Sequence, residues 1–149
     1  MRLNYIFILS VLIFASVSYS CQKNQAEEDR EIIENYINEH KLNAVEYNST
    51  GLFYIIEKEG SAKHPDVNSS ITINYKGELT SGSVFDSNKG VTFKLSNLIR
   101  GWQLGIPLIG EGGKIKLIIP SGLAYGSRAT GTIPSNSVLI FEIDLLLFN

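Results

Sequence analysis

Hydrophobic positions fall into three regimes along this chain. Residues 5–15 form a nearly unbroken apolar run, Tyr5-Ile6-Phe7-Ile8-Leu9-Ser10-Val11-Leu12-Ile13-Phe14-Ala15. Residues 22–47 are polar and charged, with Ile32, Ile33, Tyr36 and Ile37 recurring at helical spacing. That spacing predicts one short amphipathic helix, with acidic residues in its first turn and His40 and Lys41 in its last, an order that suits the helix dipole. Its apolar stripe is expected to dock on the following domain or to pair with a second copy; a mostly disordered spacer is the other reading. From Gly51 onward the period changes to two. Leu52–Ile56 reads as a strand, and Ile71, Ile73 and Tyr75 share one face of the next. Ser81-Gly82-Ser83 is a turn, Val91–Leu95 alternates again, and Lys114–Ile119 is a strand ended by Pro120. Ser137–Phe148 is the last and most apolar strand, with Leu139, Phe141, Ile143 and Leu145 inward and Glu142 and Asp144 outward. Between strands, Leu98–Ile106 is the only helix-like piece of this part. The pattern predicts an α+β fold, a twisted antiparallel β-sheet wrapped around one short α-helix. The expected division is a leader over 1–20, a tether over 21–47 and a domain over 48–149.

The leader has the marks of a secretory signal. Arg2 supplies a basic start, and the apolar run is shorter than the ~20 residues of a spanning helix. Ser18-Tyr19-Ser20-Cys21 resembles a bacterial lipobox, although Ser18 stands where Leu is commoner and Tyr19 is bulky for its slot. The resemblance implies that Cys21 is lipidated and becomes the mature N-terminus, anchoring the chain to a membrane of the cell envelope, at the periplasmic face or the outer membrane. Several acyl chains on one cysteine hold firmly. An ordinary cleaved signal, or an uncleaved anchor, with an incidental thiol is the alternative.

Composition narrows the chemistry. The chain has 149 residues, a formal net charge of -2 and scattered Lys and Arg, so a nucleic-acid partner is not expected. Cys21 is the sole cysteine, which rules out an intrachain disulfide and a multi-cysteine metal site. The two histidines, His40 and His64, lie upstream of the motif-rich region, so a histidine-activated nucleophile or a histidine-rich zinc site is not expected. No metal and no cofactor are called for.

Five segments carry the functional signal in a fixed order: Phe85-Asp86-Ser87, Leu98-Ile99-Arg100-Gly101-Trp102, Ala124-Tyr125-Gly126, Ile133-Pro134 and Phe141-Glu142-Ile143. Tyr75-Lys76-Gly77 and Gly110-Glu111-Gly112-Gly113 fall between and before them in register. Together they resemble the FK506-binding protein (FKBP) family of peptidyl-prolyl cis/trans isomerases, over roughly Gly51 to Asn149. The resemblance implies an FKBP-like fold and a proline-binding pocket. Trp102 would be its floor, and Tyr75, Phe85, Leu98, Ile99 and Phe141 its walls. Ile99 N–H and the Tyr125 hydroxyl would hold substrate carbonyls, Asp86 would sit at the rim beside the rotating amide, and Ile133 would close the pocket. Val91 replaces an aromatic residue that the family often has, which predicts a wider pocket and weaker binding of a macrolide ligand. The loop Gly126–Gly131 gives no substrate preference. The implied clients are proline-containing polypeptides, exported ones if the leader is a signal. The alternative function is a non-catalytic FKBP-like binding module of an envelope or gliding-motility machine.

Overall fold

The computed structural model describes residues 24–149; the apolar leader and Cys21 lie outside the described residues. Six strands form one sheet, antiparallel throughout: β1 (Val45–Glu46), β2 (Phe53–Lys58), β3 (Ser70–Leu79), β4 (Val84–Lys94), β5 (Lys114–Ile119) and β6 (Leu139–Phe148). Their spatial order is β1-β2-β5-β6-β3-β4. The chain's last strand therefore lies near the sheet's centre, paired with β5 on one side and β3 on the other. That position explains its apolar composition, since a central strand meets packed layers on both faces. The polar alternates Glu142 and Asp144 pair outside with Lys116 at 3.1 Å and Lys114 at 3.2 Å.

Two helices cover the two faces. Helix α1 (Gln25–Glu39) belongs to the polar segment, and α2 (Arg100–Gly105) lies between β4 and β5. A single 3-10 turn follows α2 over Ile106–Leu108 and takes in Pro107, which cannot extend an α-helix. The expected helix over Leu98–Ile106 is thus shorter than its apolar pattern, because Leu98 and Ile99 are still extended. The main core joins Trp102 and Ile106 to Ile71, Ile73, Ile115, Leu117, Ile119, Leu139, Phe141, Ile143 and Leu145. Glycines set the depth of this contact. A Cβ on Gly101 would lie 2.5 Å from Ile119 Cγ2, and one on Gly105 2.5 Å from Leu117 Cδ2. Only a residue without a side chain lets the helix lie so close to β5.

The second core sits on the opposite face. Ile118 and Ile140 break the apolar-in, polar-out alternation of β5 and β6, and α1 covers them with Ile33 and Tyr36. The helix therefore docks on its own domain. Its buried stripe is Asp29, Ile33 and Tyr36, while Ile32 is 40% exposed and Ile37 is half-buried. Asn24 caps the N-terminus, its side chain accepting from Glu27 N–H at 3.1 Å. Glu27 and Glu28 lie in the first turn, but the expected basic last turn is absent. The helix stops at Glu39 because Lys41 adopts a left-handed φ of 52°, which puts His40 and Lys41 beyond it.

Strand β4 also departs from expectation. It runs from Val84 rather than Val91, and two register shifts let it stay paired with β3 across Asp86, Ser87 and Asn88. Asp86 is therefore a mid-strand residue opposite Gly77. Because Ile33 is fully buried between α1 and the sheet, Ile33→Ala is expected to lower the unfolding free energy by ~2–4 kcal/mol. Urea denaturation checks this, and an unchanged midpoint would return the segment to a mere spacer.

Candidate active site

Strand β3 and the bulged half of β4 bring Tyr75, Phe85 and Asp86 to one end of the sheet, where α2 presents Trp102. Between them lies a cavity of ≈310 Å³. Trp102 is 4% exposed and forms the base of an aromatic cluster. Phe141 meets the indole edge-on at 5.0 Å between centroids and 86°, and Tyr75 does so at 5.3 Å and 74°. Phe85 packs on Phe141 at 5.5 Å and 84°. Perpendicular packing of this kind suits the ring quadrupoles and makes a stiff wall. Leu98, Ile99, Tyr125 and Ile133 complete the lining with Asp86. All nine residues singled out from the motifs thus line one cavity.

Four lining residues were not anticipated: Phe93, Thr130, Gly131 and Thr132. Phe93 lies 6.5 Å from the Trp102 ring and 6.3 Å from Tyr75. Val91 is not among the residues that line the cavity. Thr130 and Ile133 exchange two backbone hydrogen bonds of 2.9 Å, forming a tight flap with Gly131 at φ 57°. Its only trace in the sequence is the Thr-Gly-Thr turn before Ile133-Pro134.

Fixed donors stand at the rim. The Ile99 N–H precedes the first turn of α2 and donates to no backbone acceptor among the described residues. Its direction is set by Gln103, whose Nε2 donates to Leu98 O at 2.8 Å and to Ser96 O at 3.2 Å. Leu98 C=O and Ile99 N–H belong to one planar trans peptide, so holding the oxygen on one side aims the hydrogen to the other. Gln103, behind the lining, is a fifth residue that sequence reasoning missed. Tyr125 follows the 3-10 turn Ser121–Leu123 and is 38% exposed. Its hydroxyl makes no hydrogen bond among the described residues.

A single model of the FKBP-type peptidyl-prolyl cis-trans isomerase family matches residues 61–146, more than half of the chain. The chain belongs to this family. It is 47% identical over 111 residues to the FKBP-type isomerase FkpA of Buchnera aphidicola, a match covering 71% of this chain and 44% of that protein. The chain thus spans less than half the length of that relative. The crystal structure of FkpA from Escherichia coli superposes with a TM-score of 0.74 at 32% identity, over 97% of this chain and 70% of that one. A peptidyl-prolyl cis-trans isomerase from Pseudomonas syringae gives a TM-score of 0.75 at 26% identity, over 87% of this chain and 97% of that one.

Within this FKBP-type cavity one ionisable pair is distinctive. Tyr75 donates its hydroxyl proton to Asp86 Oδ2 at 2.7 Å. Burial, then the hydrogen bond to Asp86 and its charge, push the Tyr75 hydroxyl from 10.0 up to about 12. Tyr75 thus stays a donor, and keeps Asp86 in place, throughout the neutral range. A proton held more tightly by the folded chain stabilises it fully below the ordinary value, and that stabilisation disappears as the pH rises through the raised one. Tyr75→Phe is therefore expected to be less stable than wild type below about pH 10, with the difference shrinking between pH 10 and 12. Thermal unfolding at stepped pH checks this, and a difference constant to pH 12 would reject the assignment.

Proposed function

We propose that this chain is a peptidyl-prolyl cis/trans isomerase acting on proline-containing segments of exported polypeptides. The observation that carries the reading is the pairing of an aromatic-lined cavity on Trp102 with two unspent donors at its rim, Ile99 N–H and the Tyr125 hydroxyl. Rotation of an Xaa-Pro amide meets a barrier of ~18–20 kcal/mol from C–N resonance. No bond breaks, so the reaction needs no nucleophile.

The work of the site follows from what twisting does to the amide. At the top of the barrier resonance is lost and the carbonyl is less polar. Water favours the planar, polar ground state, whereas apolar walls of Trp102, Phe93, Phe141 and Tyr75 do not. The cavity therefore binds the twisted form better, which is the requirement for catalysis. The proline ring sits on the indole, and Ile99 N–H and Tyr125 hold carbonyls of the flanking chain in a turn. Asp86, fixed by Tyr75, places a negative charge beside the rotating group. Each ~1.4 kcal/mol of preferential binding yields tenfold in rate. A macrolide ligand would occupy the same cavity.

The localisation reading rests on sequence. No helix among the described residues is long and apolar enough to cross a membrane. Acylation of Cys21 would hold the chain at an envelope membrane, where exported clients emerge.

Two experiments test these readings. The protein in detergent, assayed at micromolar concentration by protease-coupled cleavage of an Xaa-Pro peptide, is expected to accelerate isomerisation clearly above background. Tyr125→Phe with Asp86→Leu is expected to lower kcat/KM by about 10–100-fold, through loss of a hydrogen bond and a charge. No acceleration by the wild type would leave a non-catalytic binding module. Palmitate labelling is expected for the wild type and not for Cys21→Ser; an unlabelled wild type, or equal labelling of both, rejects the anchor.

A further inference from the structure

Asp29 is the only fully buried charged side chain among the described residues, with 1% exposure. It lies in α1, outside the segment matched by the family model. A carboxylate buried without partners is costly, and here all its identified partners are neutral donors. Oδ2 accepts the Ser121 N–H at 2.8 Å and the Ser121 hydroxyl at 2.7 Å, while Oδ1 accepts Gln25 Nε2 at 2.8 Å. An apolar residue would dock α1 at least as well, since buried charge seldom stabilises a fold more than good packing does. The buried acceptor oxygens therefore have another use.

Ser121 shows what that use is. It is itself 1% exposed and opens the turn before Tyr125. Its carbonyl accepts Ala124 N–H at 3.0 Å and Gly126 N–H at 2.9 Å, the two residues flanking Tyr125. Beyond these, Tyr125 C=O accepts Arg128 N–H at 3.2 Å and Gly126 C=O accepts Asn136 N–H at 2.8 Å, while the Tyr125 side chain is 38% exposed and its hydroxyl is unbonded among the described residues. On its inner side the loop packs Leu123 and Ala124 against the main core. A groove of ≈650 Å³ separates α1 from the loop, lined by Gln25 and Asp29 on one side and Pro120, Ser121, Leu123 and Gly126 on the other. On the side facing α1, therefore, the Asp29–Ser121 hydrogen bonds tie the loop across this groove.

We infer that Asp29 is a positioning residue for the Tyr125 hydroxyl, acting from α1 through Ser121 on the loop that carries it. Its catalytic consequence rests on the isomerase reading above; its structural consequence does not. Asp29→Ala leaves Ser121 without its acceptor and frees the loop. Asp29→Asn keeps an oxygen for both Ser121 donors, and its amide NH2 can donate to Gln25 Oε1 once the Gln25 amide is reversed, so it rescues.

The test combines kinetics with hydrogen exchange on the whole chain. Asp29→Ala is expected to lower kcat/KM on an Xaa-Pro peptide by about five- to tenfold, the worth of one misplaced hydrogen bond. Asp29→Asn is expected to stay within about twofold of wild type, and Asp29→Ala to cost less than about twofold when Tyr125 is already Phe, because the two changes remove one interaction. An equal loss in both backgrounds overturns the proposal. Amide exchange at Ala124 and Gly126 is expected to quicken by about tenfold or more in Asp29→Ala, selectively, and to be restored by Asp29→Asn. Uniform quickening across the sheet, or none, overturns it as well. If Asp29→Ala fails to fold, Ser121→Ala removes one of the two bonds and is expected to give a partial loss, again absent in Tyr125→Phe. A wild type without activity but with selective exchange in this loop retires the isomerase reading and keeps the positioning.

Discussion

The close approach of α2 to β5 governs this molecule. Gly101 and Gly105 leave no side chain between the helix backbone and the tips of Ile119 and Leu117. The helix therefore sinks onto the sheet, and Trp102, flanked by both glycines, is carried in with it to 5.0 Å from Phe141. Were the helix held further out by even one methyl group, the indole would leave Tyr75 and Phe141 and the cavity would lose its base. Packed interiors tolerate such shifts poorly, because contact attraction falls off steeply with separation. The same descent fixes Ile99 at the head of α2, so one packing event sets both the apolar surface and a hydrogen-bond donor.

How much of this was legible in the sequence depends on the kind of signal. The strands with clean period-two patterns, such as Ile71–Tyr75 and Leu139–Leu145, lie in the sheet as their alternation indicates. Strand β4 was half hidden, because two register shifts carry it through Asp86-Ser87-Asn88, a stretch that reads locally as a turn. The motif residues around Trp102 and Tyr125 stood out by order and identity. Phe93 did not, since an inward aromatic residue on a strand looks the same whether it fills a core or faces a cavity. Gln103 was invisible for a different reason: its role is a pair of hydrogen bonds to backbone carbonyls, and no residue pattern announces which carbonyl will be near.

The N-terminal segment is where tertiary structure added most. Its apolar residues predicted a helix, but Asp29 looked like one more member of an acidic run. It differs from Glu27 and Glu28 only in facing the sheet, at i, i+4 and i+7 with Ile33 and Tyr36. A charged residue on the buried side of an amphipathic helix is a signal that helical arithmetic can expose, once the phase of the stripe is known. The phase itself became clear from Ile118 and Ile140, the two apolar residues on the wrong face of their strands, which needed a cover.

Docking of α1 also changes what lies between Cys21 and the domain. With the helix folded against the sheet, the docked part of the chain begins at Asn24, three peptide units along the sequence from Cys21. Three peptide units reach at most ~11 Å, less than the breadth of a domain this size, whose radius of gyration alone is ~13 Å. An acylated Cys21 would accordingly moor the protein flush against the lipid headgroups instead of trailing it on a long line. Its working volume would be a thin layer at the bilayer surface, and the polypeptides within reach would be those that pass through that layer.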